Sequence, residues 1–98
     1  MDIGQAIKTL RKKHGLTQEQ LAEKCGLSVN AVCAIETGRT WPPKATVERL
    51  CSAIGVPHTY LMMTTIEEDD FPEEKRVLYR ALLEPLRQEL LDTKGNGQ

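Results

Sequence analysis

Apolar positions recur at three- and four-residue steps from the start of the chain, at Ile3, Ala6, Ile7 and Leu10. That spacing builds one apolar face on an amphipathic helix. The helix runs into the basic Arg11-Lys12-Lys13-His14 and stops at Gly15, a residue suited to a left-handed terminal turn. Thr17 follows, with Gln20 three residues on, the arrangement of a capping box. A second helix is therefore expected from about Gln18 to Cys25, ending at Gly26. Ser28 caps a third, to about Glu36 or Thr37, which Gly38 ends. The loop Arg39-Thr40-Trp41-Pro42-Pro43 cannot continue as a helix through two prolines. A fourth helix begins near Lys44 and carries Val47, Leu50, Cys51 and Ile54 on one face until Gly55. After Pro57, a short helical turn through Tyr60, Leu61 and Met62 is expected. The pattern predicts no strand and no repeat.

The stretch LAEKCGLSVNAVCAIETG, residues 21–38, interrupts a helical pattern with glycine and resumes it at once with serine. Two short helices joined this way form a helix-turn-helix. Gly26 supplies the positive φ that the tight turn requires. Ala22 is small where a larger side chain would hold the helices apart, and Leu21, Cys25, Leu27, Val32 and Ile35 are expected to bury together between them. In this arrangement the second helix lies in the DNA major groove, its N-terminal residues facing base edges. The alternative is an ordinary helical hairpin; the small residue, the glycine and three later apolar positions in register favour the DNA-binding motif.

Net charge changes the picture only once the chain is divided. The total is −1, but residues 1–65 hold eight basic and five acidic side chains, giving +3, and residues 66–98 hold five and nine, giving −4. A mildly basic front part suits a nucleic-acid partner, and the acidic tail points to a second role. Two segments are expected, a DNA-binding domain at 1–65 and an acidic linker with a C-terminal helix at 66–98. No run approaches the roughly 20 apolar residues that span a bilayer, and MDIGQAIK lacks a signal-peptide profile. A cytoplasmic location is expected. Cys25, Cys33 and Cys51 are an odd count without paired spacing, in keeping with reduced thiols.

TLRKKHGLTQEQLAEKCGLSVNAVCAIETGR, followed by ATVERLCSAIGVPHTYL, resembles the Xre or lambda-repressor-like DNA-binding family over about residues 3 to 63. The resemblance implies an all-α, five-helix domain, here with a helical extension, that binds double-stranded DNA sequence-specifically and usually as a homodimer. It implies phosphate contact by Gln18, where the helix N-terminus itself favours an anion. Ser28, Val29, Asn30 and Ala34 fall at the reading end of the third helix. Asparagine can bridge an adenine and valine can pack on a thymine methyl, whereas Ala34 offers no hydrogen bond and leaves more to DNA shape. Arg39, Thr40 and Lys44 fall in the loop after the third helix, which resembles a backbone-contacting segment. Arg11 and Glu36 match a pair that bridges helices one and three in this family, so a structural ion pair is implied rather than a DNA contact. Lys12 and Lys13 suit the C-terminal end of helix one. Trp41 is expected to cover one end of the core.

No catalytic constellation stands out. His14 and His58 have no recognisable nucleophile partner, the cysteines lack zinc spacing, and Glu67-Glu68-Asp69-Asp70 lacks the glycine and ligand order of a calcium loop. No enzyme, cofactor or metal is expected. In the tail, Leu78, Leu82, Leu86 and Leu90 recur every four residues after Pro72, with Tyr79, Leu83 and Leu91 beside them. Pro85 removes the amide bond back to Ala81, so a kink or break near Glu84 is expected. This apolar surface either folds back on the front domain or serves as an interface. A homodimer through residues 72–92 is the expectation, and an antitoxin-like module docking a protein partner is the alternative.

Overall fold

A computed structural model describes residues 2–91. Five helices follow one another: α1 (Ile3–Lys13), α2 (Gln18–Cys25), α3 (Val29–Glu36), α4 (Lys44–Ile54) and α5 (His58–Thr65). Two 3-10 turns, Glu68–Asp70 and Glu73–Lys75, lead to three contiguous helical segments, Arg76–Leu78, Tyr79–Leu83 and Glu84–Leu91, together called α6. No strand occurs among the described residues. The last seven residues of the expected C-terminal segment lie outside them.

Local chemistry sets the helix ends. The Asp2 carboxylate accepts from the Gln5 amide at 2.8 Å and starts α1. Thr17 Oγ1 accepts from the Gln20 amide at 3.0 Å while Gln20 Oε1 accepts from the Thr17 amide at 2.9 Å, the reciprocal box expected for α2. Ser28 Oγ accepts from the Ala31 amide at 3.0 Å. Between α2 and α3, Gly26 takes φ +70°, and the Leu27 amide donates to the Ala22 carbonyl at 2.9 Å. α5 is longer than the expected turn. Pro57 presets its start with φ −67°, and the buried Thr64 donates its hydroxyl to the Leu61 carbonyl at 2.6 Å, so burial leaves it satisfied.

The core is the predicted one: Ala6, Ile7 and Leu10 of α1, Leu21, Ala22 and Cys25 of α2, Val32 and Ile35 of α3, and Val47, Leu50, Cys51 and Ile54 of α4, joined by Ile3, Val56 and Leu61. Leu27 packs against it half-buried. Cys25, Cys33 and Cys51 are all free thiols, and burial pushes those of Cys25 and Cys51 up, which keeps them protonated. Ala22 is 2% exposed. Its replacement by leucine should cost about 1–3 kcal/mol through overpacking. Thermal unfolding of Ala22→Leu checks this, and a parent-like transition with intact DNA binding would contradict the packing.

One expectation fails here. Trp41 does not cover the core: it is 75% exposed, and Pro42 is the buried residue of that loop. The change expected near Glu84, a kink or a break, takes the form of a π turn, and the helix continues past Pro85. The Glu84 amide reaches back five residues to the Tyr79 carbonyl, making a π turn over Tyr79–Leu83. That wider turn takes up the place where an α-helical ladder would have needed the missing proline N–H, and Leu78, Tyr79 and Glu84 keep right-handed helical angles.

α6 folds back over α1 and α5. Lys13 Nζ donates to the Leu90 carbonyl at 2.8 Å and to the Tyr60 hydroxyl at 3.3 Å, and Tyr60 donates to the same Leu90 carbonyl at 3.1 Å. Arg87 Nε donates to the Thr64 carbonyl at 3.2 Å, satisfying an otherwise open end of α5. Tyr79, 4% exposed, lies beside Phe71 at a ring separation of 5.3 Å, and Leu91 packs against the main core. The acidic run is not bare linker either: the Asp70 carboxylate accepts from the Glu67 amide at 2.8 Å, and Glu68 pairs with Arg80 at 2.7 Å. That second pair is well exposed and contributes little.

Candidate nucleic-acid interface

α3 presents two unlike sides. Val32, Ile35 and Glu36 are buried against α1 and α2, while Ser28, Val29 and Asn30 at its start are exposed. The turn at Gly26–Ser28 produces this. It brings α3 in at an angle that seats its later turns on the core and leaves its first turn standing out. Ala34 and Cys33 are half-buried at the edge of the same surface.

The loop after α3 stays beside it. Amides of Arg39 and Thr40 both donate to the Ala34 carbonyl, at 2.9 and 3.2 Å. Arg39 Nε donates to the Thr37 hydroxyl at 3.2 Å, and its Nη2 lies 3.9 Å from Cys33 Sγ. The Arg39 side chain thus turns along the outer flank of α3, and Arg39, Thr40 and Trp41 are exposed together. Lys44 is exposed too, but it is the first residue of α4 rather than part of the loop.

Behind this surface sits a buried polar cluster. Arg11 Nε lies 2.7 Å from Glu36 Oε2 and its Nη2 3.0 Å from Oε1, a two-point pairing with side chains 8% and 1% exposed. Arg11 Nη1 donates to the Leu16 carbonyl at 2.8 Å. Gln18 Nε2 adds a bond to Glu36 Oε1 at 3.0 Å. The cluster joins the end of α1, the start of α2 and the end of α3, so it fixes the attitude of α3 against the rest of the domain. The ion pair is where the resemblance implied it.

Gln18 has a partner that the sequence reading did not foresee, because Glu36 is 18 residues away and only the folded chain brings them together. Arg49 is a second residue whose role depends on the folded chain. From α4 its guanidinium donates to the Cys25 carbonyl and covers the α2–α3 turn beside Gly26. No local spacing signals that contact. Trp41 stands exposed beside Arg39 and Thr40, against the expectation that it covers the core.

No cluster of His, Cys, Asp or Glu suited to a metal ion occurs among the described residues, and none of the described helices is long and apolar enough to cross a membrane.

The family model described as helix-turn-helix matches residues 7–61, which covers α2, α3 and most of the remaining core helices. The immunity repressor protein of Bacillus phage phi105 is 36% identical over 101 aligned positions, covering 97% of this chain and 69% of that protein. The HTH-type transcriptional regulator RghRB of Bacillus subtilis, described as uncharacterized, is 38% identical over 75 residues, 76% of this chain and 54% of its own length. The HTH-type transcriptional repressor RghR of Bacillus subtilis is 37% identical over 61 residues, 61% of this chain and 45% of its own length. No solved structure matches the chain.

Proposed function

The chain belongs to the helix-turn-helix family of DNA-binding transcriptional regulators and is no enzyme, and from that premise we propose that it represses transcription by binding operator DNA sequence-specifically as a homodimer. The observation that carries the reading is the exposed first turn of α3, Ser28, Val29 and Asn30, backed by the buried Arg11–Glu36 pair and flanked by exposed Arg39, Thr40 and Lys44. A rigid scaffold behind and polar groups in front are what base readout needs. Repression is taken from the relatives named as repressors.

In this reading α3 enters the major groove. Asn30 bridges an adenine, Val29 packs on a thymine methyl, and Ala34, half-buried and apolar, leaves part of the specificity to DNA shape. Ser28 and the α2 N-terminus face phosphates. Gln18 spends one amide hydrogen on Glu36 and has a second for a phosphate oxygen. Arg39, Thr40 and Lys44 follow the backbone, with Lys44 reaching towards the minor groove. Residues 1–65 do the reading, and residues 66–98, which carry −4, keep away from phosphate and join two copies.

Asn30→Ala should weaken the preferred site by about 1–3 kcal/mol while sparing random DNA. Lys44→Ala and Gln18→Ala should weaken all sequences alike, and Lys44→Ala should also flatten the dependence on salt. Mobility shifts on fragments flanking the coding gene, with random competitor, measure both. Equal losses on specific and random DNA for Asn30→Ala would remove Asn30 from the base readers.

A further inference from the structure

The inner side of α6 is occupied: Tyr79 is buried, Leu91 packs against the core, Arg87 reaches the Thr64 carbonyl of α5, and Lys13 of α1 and Tyr60 of α5 hold the Leu90 carbonyl. Its outer side is not. Val77, Leu78, Leu82 and Leu86 are between 42% and 66% exposed, and Ala81 and Pro85 are exposed with them. A contiguous apolar face of this kind on a small domain marks an association surface. Beside it runs an apolar groove of about 320 Å³ lined by Phe71, Lys75, Leu78, Tyr79, Leu82 and Leu83.

The order of residues along the exposed face says what covers it. Lys75, which ends the 3-10 turn just before α6, and Leu78, Leu82, Leu86 and Glu89 of α6 are all exposed, and their sequence spacing reads the same in both directions from Leu82 except that the ends carry opposite charges. Two such helices laid antiparallel about a two-fold axis at Leu82 place each residue opposite the one equally far on the other side. Leu82 then meets Leu82 of the second copy, Leu78 meets Leu86, and Lys75 meets Glu89, twice over by symmetry. A parallel pairing would set lysine against lysine and glutamate against glutamate.

We infer that the outer face of α6 is the dimer interface, formed with a second copy of this chain in antiparallel register centred on Leu82. This rests on the homodimeric reading above and supplies its surface. The groove beside Leu78 receives an apolar side chain of the facing copy, and the inward contacts of Tyr79, Arg87 and Leu90 hold each α6 to its own domain. The two reading helices are thereby held in fixed relation through α6, α1 and α3.

The test is sedimentation of the full chain at micromolar concentrations, with far-UV circular dichroism to verify folding. The parent chain sediments as a dimer. Leu82→Glu, at a position exposed in the single chain, keeps the helical spectrum and raises the dimer dissociation constant roughly tenfold or more, since the substitution meets itself across the axis. Lys75→Glu and Glu89→Lys each weaken the dimer several-fold, and the double reversal restores it. A dimer that survives Leu82→Glu overturns this surface while leaving a homodimer formed elsewhere. Charge reversals that fail to rescue one another overturn the antiparallel register. A monomeric parent chain overturns both this interface and the homodimeric reading, whereas DNA binding, measured separately, decides the regulator reading alone.

Discussion

Replacing Gly4 with alanine should destabilise the protein by about 3 kcal/mol or more, the upper part of the range for overpacking. The expectation runs against helix propensity. Gly4 lies in the first turn of α1, where alanine would ordinarily stabilise by up to about 1 kcal/mol. Here, however, a Cβ would run into the Ile35 carbonyl oxygen and stand 3.2 Å from that of Glu36. Both obstacles are backbone, so no side-chain rotation relieves them. α1 would have to move off the end of α3, and Arg11 and Glu36 would have to separate further along the same contact. Urea denaturation of Gly4→Ala, with the exposed Lys8→Ala as a control, measures the cost. An unchanged or higher midpoint would show that α1 and α3 do not approach so closely.

The elements that could be read from sequence are those whose cause is local. Thr17 with Gln20, Ser28 before Val29 and the turn at Gly26 each act within three or four residues, and the ends of α2 and α3 fall where those residues put them. The exposure of Ser28, Val29 and Asn30 followed from the same turn. What was not legible depended on distant partners. Pro85 forbids an α-helical bond but not a π turn, and the choice rests on Tyr79 being pinned by Ile66 and Glu84. The leucine ladder of α6 was visible, but not which side would turn inward, because Leu90 is fixed by Lys13, 77 residues away. The fold-back is present, and a second stripe of the same ladder stays exposed and is the one to which the proposed interface is assigned. Gly4 gave no signal, since only the approach of α3 makes its missing side chain necessary. Trp41 misled because a lone tryptophan beside prolines usually shields a core.

Removing either member of the Arg11–Glu36 pair should be among the most damaging single changes available, at about 3–5 kcal/mol. Against a typical stability of about 5–15 kcal/mol, that is a large fraction of the total. The reason is what remains behind. Arg11→Met leaves Glu36, 1% exposed, with Gln18 as its one remaining described partner. Glu36→Gln leaves the Arg11 guanidinium with the Leu16 carbonyl and a neutral amide, in a slightly more open place, so it should cost less. Arg11→Met combined with Glu36→Leu strands no charge, and well-packed apolar replacements of buried ion pairs are often close to neutral. The double variant should therefore be more stable than Arg11→Met alone, with a coupling energy of about 1–3 kcal/mol in a urea cycle. Gln18→Ala should cost little in the double variant and more in the parent, because its partner Glu36 is gone from the former. Strictly additive losses would mean that the cluster does not act as a unit. The attitude of α3 would then have to be held by core packing alone.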